Sequence, residues 1–242
     1  MKIRYLTSAL LLTLTSTAAS AASINIRHEF QPDHGDKAGA KHADRIAVSH
    51  RFKNGVGFEV EAKWRSNNET GEHNQDPFSE FAGNGQQANI SYLYRINESF
   101  TLTPQYKWES SDTKMGNQFN LTLGYKVNDD WSTSFRHRYH YETRPNVDKS
   151  AHYNRWTFGA SYRGIENWGL GATVDYTWKQ EGEVVYKDDN AGVSEVNFTF
   201  EYQGFDSGWR PFGEIGATPS KKDTDEVDSY RPRFRVGMKY NF

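Results

Sequence analysis

The last fourteen residues restrict the fold more than any other segment. Ser229 aside, Tyr230, Pro232, Phe234, Val236, Met238, Tyr240 and Phe242 alternate with Arg231, Arg233, Arg235, Gly237, Lys239 and Asn241. Strict alternation over a dozen residues is a β-strand with one apolar and one polar face. Related alternations recur along the chain, and almost nothing repeats at the 3.6-residue helical period. The pattern predicts twelve strands: 23–30, 45–52, 56–65, 86–95, 99–110, 116–127, 131–142, 153–163, 168–179, 193–202, 209–217 and 229–242.

The gaps between these strands fall into two kinds. One set is mostly long and polar: 31–44, 66–85, 111–115, 143–152, 180–192 and 218–228. The other is short and carries turn chemistry, as in Lys53-Asn54-Gly55, Asn97-Glu98, Asn128-Asp129-Asp130 and Gly204-Phe205-Asp206-Ser207-Gly208. An even strand count with long connections at one end and tight turns at the other predicts an all-β fold. The expected architecture is a transmembrane antiparallel β-barrel with short periplasmic turns and long extracellular loops. A helical membrane protein is excluded, because each helical span needs about 20 consecutive apolar residues and no such run exists in a chain of mean hydropathy −0.88. Trp, Tyr and Phe make up 15% of the residues, which excludes a disordered chain.

The two faces of the predicted strands are chemically opposed. Ile24, Ile26, Ile46, Val48, Phe52, Val56, Phe58, Val60, Leu102, Phe119, Leu121 and Leu123 lie on one face, together with all seven tryptophans. Most of the tryptophans are near strand ends, where amphipathic rings sit at a membrane interface. No Lys, Arg, Asp or Glu is expected on this face, whereas a soluble sandwich or small barrel would place charge outside and apolar groups within. His137 is the awkward residue, because the register points it mid-strand toward lipid. Either it is neutral and hydrogen-bonded, or the register slips nearby.

The other face carries eighteen basic residues and nine acidic ones within the predicted strands, an inner excess of nine positive charges. Two basic tracks are expected. Arg231, Arg233 and Arg235 lie beside Arg27, Arg45, Arg51, Lys63 and Arg65 once the last strand pairs with the first, and Lys126, Arg136, Arg138, Arg155 and Arg163 form a second group half-way round. Strands about 4.8 Å apart make these tracks ladders of cations, suited to a long polyanion that exchanges one contact for the next. Arginine forks take carboxylates bidentately. The alternative is structural, since inner arginines of narrow barrels also pair with glutamates and fill the interior. The expected pore-lining path is Arg27, Arg51, Lys63, Arg136, Arg138, Arg155, Arg163, Arg231, Arg233 and Arg235.

The N-terminus has the form of a secretory leader: Lys2 and Arg4, a short apolar run from Leu6 to Leu14, then Ala19-Ser20-Ala21. Residues 1–21 are expected to be a cleaved signal peptide and 22–242 a single barrel. Without Lys2 and Arg4 the net charge is −4, and the connections carry about thirteen negative charges in excess. Divalent cations bridging to lipopolysaccharide would neutralise such loops.

Enzyme chemistry finds no support. There is no G-x-S-x-G or H-E-x-x-H, and there is no cysteine. His137 and His140 are three apart and point to opposite faces of a strand. His34 and His42 share a predicted loop. Gly83-Asn84-Gly85 has no helix after it to form a phosphate cradle. No cofactor, metal or nucleic acid is expected.

Several motifs together resemble a known family. They are Ala21-Ala22-Ser23-Ile24 with Arg27-His28-Glu29-Phe30; Ser49-His50-Arg51-Phe52-Lys53-Asn54-Gly55-Val56-Gly57-Phe58 running into Val60-Glu61-Ala62-Lys63-Trp64; Gly83-Asn84-Gly85; and the closing Tyr230-Arg231, Arg233-Phe234-Arg235-Val236-Gly237 and Tyr240 to Phe242. In these the mature chain resembles the oligogalacturonate-specific, KdgM-type porins. The terminal motif, ending in Phe, also resembles the signal read by the outer-membrane barrel assembly machinery. The resemblance implies a monomeric, twelve-stranded, anion-selective outer-membrane channel for acidic oligosaccharides from pectin breakdown, with arginine tracks at Arg27, Arg51, Arg136, Arg138, Arg155, Arg233 and Arg235. Related members favour sialic acid or sulfated sugars. A surface-binding barrel with no open lumen is the alternative from another class.

Overall fold

A computed structural model describes residues 21–35, 39–66, 77–78, 80–111, 114–145, 150–179, 186, 191–221 and 226–242. The expected leader lies outside these residues, apart from Ala21, which begins the first strand. The strands are β1 (Ala21–Gln31), β2 (Lys41–Arg51), β3 (Val56–Ser66), β4 (Phe81–Tyr92, resumed after Leu93 at Tyr94–Arg95), β5 (Phe100–Ser110), β6 (Met115–Lys126), β7 (Trp131–Thr143), β8 (Ala151–Ile165), β9 (Trp168–Lys179), β10 (Ala191–Tyr202), β11 (Trp209–Ser220) and β12 (Ser229–Asn241). Each is antiparallel to the next, and β12 closes on β1 through pairs running from Ser23–Asn241 to Phe30–Phe234. The result is a closed twelve-stranded barrel with no free edge.

Side-chain burial is inverted relative to a soluble protein. Among the described residues, three apolar side chains are buried, Ala40, Ala47 and Tyr186, against seventeen polar or charged ones that include Glu61, Gln118, Asn120, Asp175, Arg231 and Arg233. The large apolar residues of the expected lipid face, such as Ile26, Val60, Phe119, Phe158 and Val236, are exposed on the outside. This is the distribution expected when the outer solvent is hydrocarbon and the inner one is water.

Asparagine builds three of the tight turns. Asn97 Oδ1 accepts from the amides of Ser99 (2.9 Å) and Phe100 (2.8 Å), and Asn128 Oδ1 from those of Asp130 (3.0 Å) and Trp131 (2.7 Å). Asn54 Oδ1 accepts from Val56 N (3.1 Å), beside Gly55 at φ +94°. Side-chain carbonyls thus replace backbone acceptors where the chain reverses.

The structure corrects several expectations. β2 begins at Lys41, so His42 is a strand residue and not a loop partner of His34. The longer strand also brings Asp44 onto the outer face, which was expected to be free of charge. There His28 Nδ1 lies 2.9 Å from Asp44 Oδ1 and His28 Nε2 lies 3.2 Å from His42 Nδ1, with Phe78 against the His28 ring. Gly83-Asn84-Gly85 belongs to β4, where an extra residue forms a bulge against Ala62–Trp64 and Gly85 takes φ +96°. This is why β4 starts at Phe81 and not at Gln86. At the other end the strand is interrupted at Leu93, whose amide donates to Gly55 O at 2.9 Å. The flanking pairs Ser91–Gln105 and Tyr94–Leu102 put Pro104 opposite Tyr92, and proline has no N–H to give to that rung. His137 faces outward with the register intact, and its Nε2 is 3.0 Å from Asn154 Oδ1.

Candidate pore

The inner face of the barrel is built from alternate residues of every strand, and the two expected basic tracks turn out to differ in kind. On β10–β12 and β1–β3 most of the cations are matched by acids. Arg235 is flanked in register by Glu29 on β1 and Glu214 on β11. Its Nε donates to Glu29 Oε2 at 2.6 Å and its Nη1 to Glu214 Oε1 at 2.5 Å. Arg233 binds Glu195, Asn197 (2.5 Å) and Glu214 (3.4 Å). Arg45 donates to Glu61 at 2.7 Å, Lys63 lies 3.4 Å from the same carboxylate, Arg27 lies 3.9 Å from Glu29, and Lys239 pairs with Glu201. Arg231 and Arg233 retain only 2% and 4% exposure, so a solute in the lumen meets little of either. Arg51 lies flat on Gly57, where any Cβ would meet its guanidinium carbon at 2.9 Å, and donates to Gly55 O and Ser91 Oγ.

The wall made by β5–β9 holds fewer acids. Arg138 Nε donates to Asn120 Oδ1 at 2.8 Å, Arg155 Nε to Thr177 Oγ1 at 2.9 Å, and Arg136 Nη2 to Thr157 Oγ1 at 2.8 Å. One carboxylate, Asp175, lies 3.4 Å from Arg155 and 3.9 Å from Arg136. Lys107 is 4.0 Å from Glu109. The Arg155 guanidinium also stands 5.3 Å from the Tyr153 ring centroid. Lys126 and Arg163 sit at the turn-bearing rim, where Lys126 binds Asp129 at 2.6 Å; that ammonium holds the Asp129 carboxyl below the usual carboxylate range.

Toward the loop end, His140 is an inner residue with 1% exposure, stacked on Tyr153 at 4.5 Å, with Nε2 3.6 Å from Glu142 and 3.8 Å from Glu109. It lies on the face opposite to His137. Among the described residues no group of three or more His, Asp or Glu side chains is arranged to hold a metal ion. Sequence reasoning missed the neutral partners Asn120, Thr157 and Thr177. Their signal is positional: polar, uncharged residues at inward parity on strands next to an arginine.

A closed barrel of twelve strands, apolar outside and lined by ionic and amide side chains within, defines an outer-membrane channel. The chain belongs to the family of oligogalacturonate-specific porins: the family profile described as oligogalacturonate-specific porin protein (KdgM) matches residues 15–242. The oligogalacturonate-specific porin KdgM of Dickeya dadantii (strain 3937) is 31% identical over 246 aligned positions spanning both chains in full. YiiY of Salmonella typhimurium, an uncharacterized protein, is 28% identical over 96% of each chain. Among solved structures, a KdgM porin covers 91% of this chain and 99% of its own with a TM-score of 0.64 at 23% identity, and a NanC porin 90% and 100% with a TM-score of 0.72 at 14% identity. Members of the family are channels and not enzymes.

Proposed function

We propose that this protein is a passive outer-membrane channel that admits acidic oligosaccharides, oligogalacturonates first among them, by anion-selective diffusion along its inner arginines. The observation that carries the reading is the group Arg136, Arg138 and Arg155, three guanidinium groups with, among the described residues, one carboxylate, Asp175, within 4 Å of any of them. Uronate carboxylates match such forks in charge and geometry. The family assignment supports the substrate class, because the Dickeya relative is an oligogalacturonate-specific porin and a KdgM porin structure is described in complex with disordered oligogalacturonate. No energy coupling or cofactor is needed, since the ligand moves down its gradient. The same reading takes residues 1–21 as a cleaved leader, the chain as a monomer assembled by the barrel assembly machinery, and the acidic loops as lipopolysaccharide-facing.

Swelling of liposomes containing the protein tests it, with trigalacturonate, sialic acid, a sulfated disaccharide and neutral maltotriose compared at equal osmolarity. Trigalacturonate is expected to enter faster than maltotriose, with a reversal potential favouring anions in a salt gradient. Faster entry of sialic acid or the sulfated sugar would reassign the substrate within the acidic class. A cation preference, or no conductance, would refute the channel reading.

A further inference from the structure

We infer that Asn120 and Thr177 are positioning residues that hold Arg138 and Arg155 by neutral oxygens, Arg138 with no acid bound to it among the described residues and Arg155 with only the 3.4 Å contact to Asp175, so that this single row of the barrel, and not the more heavily ion-paired wall across the lumen, holds the carboxylates of a passing oligosaccharide. The inference rests on the channel reading and names the subsite within it.

The register supplies the first argument. Asn120, Arg138, Arg155 and Thr177 are consecutive partners across β6, β7, β8 and β9, so they form one row in which two arginines stand directly opposite each other between two neutral residues. Like charges directly opposite on adjacent strands destabilise a sheet. The like-charged row on the other side, Arg27, Arg45 and Lys63, is relieved by Glu29 and Glu61 one rung away. In the Asn120 row Asp175, one rung from Thr177, reaches Arg155 at 3.4 Å, but Arg138 is bound by the neutral Asn120, and its remaining repulsion with Arg155 is what a carboxylate in the lumen would relieve.

The second argument is the atom each anchor takes. A guanidinium offers five N–H donors in a fork. Asn120 Oδ1 and Thr177 Oγ1 each occupy the Nε–H of their arginine, at 2.8 and 2.9 Å, and not its terminal amino groups; Arg155 Nη1 donates to Asp175 Oδ2 at a long 3.4 Å, and those of Arg138 meet no acid among the described residues. The Thr177 hydroxyl donates its own hydrogen bond to Ser194 Oγ at 2.7 Å, which turns an oxygen lone pair toward Arg155. Asn120 is 4% exposed, and its Nδ2 has no hydrogen-bond partner among the described residues. The amide is therefore oriented by Arg138 alone. A carboxylate in its place would hold the guanidinium as firmly while cancelling its charge, which is the arrangement that Glu29 and Glu214 impose on Arg235.

Asn120→Asp makes that exchange without changing shape. The control is Asn25→Asp, which adds the same charge to the inner face of the ion-paired wall, opposite Lys239 in register. In planar bilayers, N120D is expected to lower the anion-to-cation permeability ratio severalfold and to weaken current block by trigalacturonate roughly tenfold or more, the scale of one added charge contact at partial screening. N25D should change either quantity less than twofold, and maltotriose entry should be the same in all three proteins. Thr177→Val, which removes the Arg155 anchor without adding charge, is expected to weaken trigalacturonate block at unchanged maltotriose entry. Equal effects of N120D and N25D would overturn the inference and leave selectivity to total inner charge, as would a T177V protein with wild-type block. A wild-type protein without anion preference would instead refute the channel reading itself.

Discussion

The lipid-facing assignment is tested most sharply at the centre of β9. Val174 lies six residues from Trp168 and five from Lys179, is paired in register with Phe158 and Val196, and is 39% exposed on the outer wall. Its neighbour Thr173 belongs to the inner wall, opposite Gly159 and Asn197, and its Oγ1 lies 3.3 Å from Asn197 Nδ2. With a rise of roughly 3.3 Å per residue and a strand tilt of about 40°, Val174 stands roughly 13–15 Å from either end of its strand. That is too deep for a guanidinium to snorkel easily to an interface. Val174→Arg should therefore cost about 2–4 kcal/mol, the penalty for arginine facing lipid at the midplane, or a roughly 30- to 700-fold loss in the folding equilibrium. Thr173→Arg puts the same side chain one residue away into the wet interior and forfeits one hydrogen bond, a cost of about 0.5–1.5 kcal/mol. Urea titration of folding into phosphatidylcholine vesicles, read by heat-modifiable migration, measures both. The reasoning is refuted if Thr173→Arg is destabilised as much as Val174→Arg, because the two faces would then not differ in solvent.

Three further outcomes follow from the ionic interior and the bulge. Anion preference in a fixed salt gradient should decline as the mean concentration rises from 0.1 to 1 M, because the screening length falls from about 10 to about 3 Å; a ratio independent of salt would locate selectivity in pore width. Arg233→Met leaves Glu195 and Asn197 without their shared donor, so it should lower folding stability by roughly 1–3 kcal/mol in the same urea titration while changing trigalacturonate block little. Gly85→Ala forces a side chain onto a φ of +96° and brings its Cβ to 2.7 Å from Ser110 O, which should cost about 1–3 kcal/mol and appear as a lower urea midpoint than that of Gly83→Ala, where a Cβ meets open space.

Strand positions and faces were legible because lipid outside and water inside impose a two-residue period. The C-terminal alternation maps onto β12 at Ser229–Asn241 almost without adjustment. The period fails where the outer wall carries polar groups. Asp44 and His42 broke the pattern and hid the first four residues of β2, since they satisfy one another through His28 and not through solvent. It also fails where an extra residue enters, as in the β4 bulge at Gly85. The inner cations could be listed from parity alone, but their division into an acid-rich and an acid-poor wall could not. Arg235 and Glu29 are 206 residues apart in sequence, and nothing local to either tells which of the available acids will stand beside which base.

The acid-rich wall also bears on how the ring is held closed. The acids Glu29, Glu195 and Glu214 come from β1, β10 and β11, and the arginines that join them, Arg233 and Arg235, come from β12, the strand that closes the ring. Among the described residues Glu195 and Glu214 draw their arginine partners from β12 alone, and Glu29, which keeps Arg27 at 3.9 Å, gains Arg235 from it. Removing β12 would therefore take away more than a row of backbone hydrogen bonds: Glu195 and Glu214 would lose the arginines that bind them, so the strand that closes the ring by its backbone also closes it by charge.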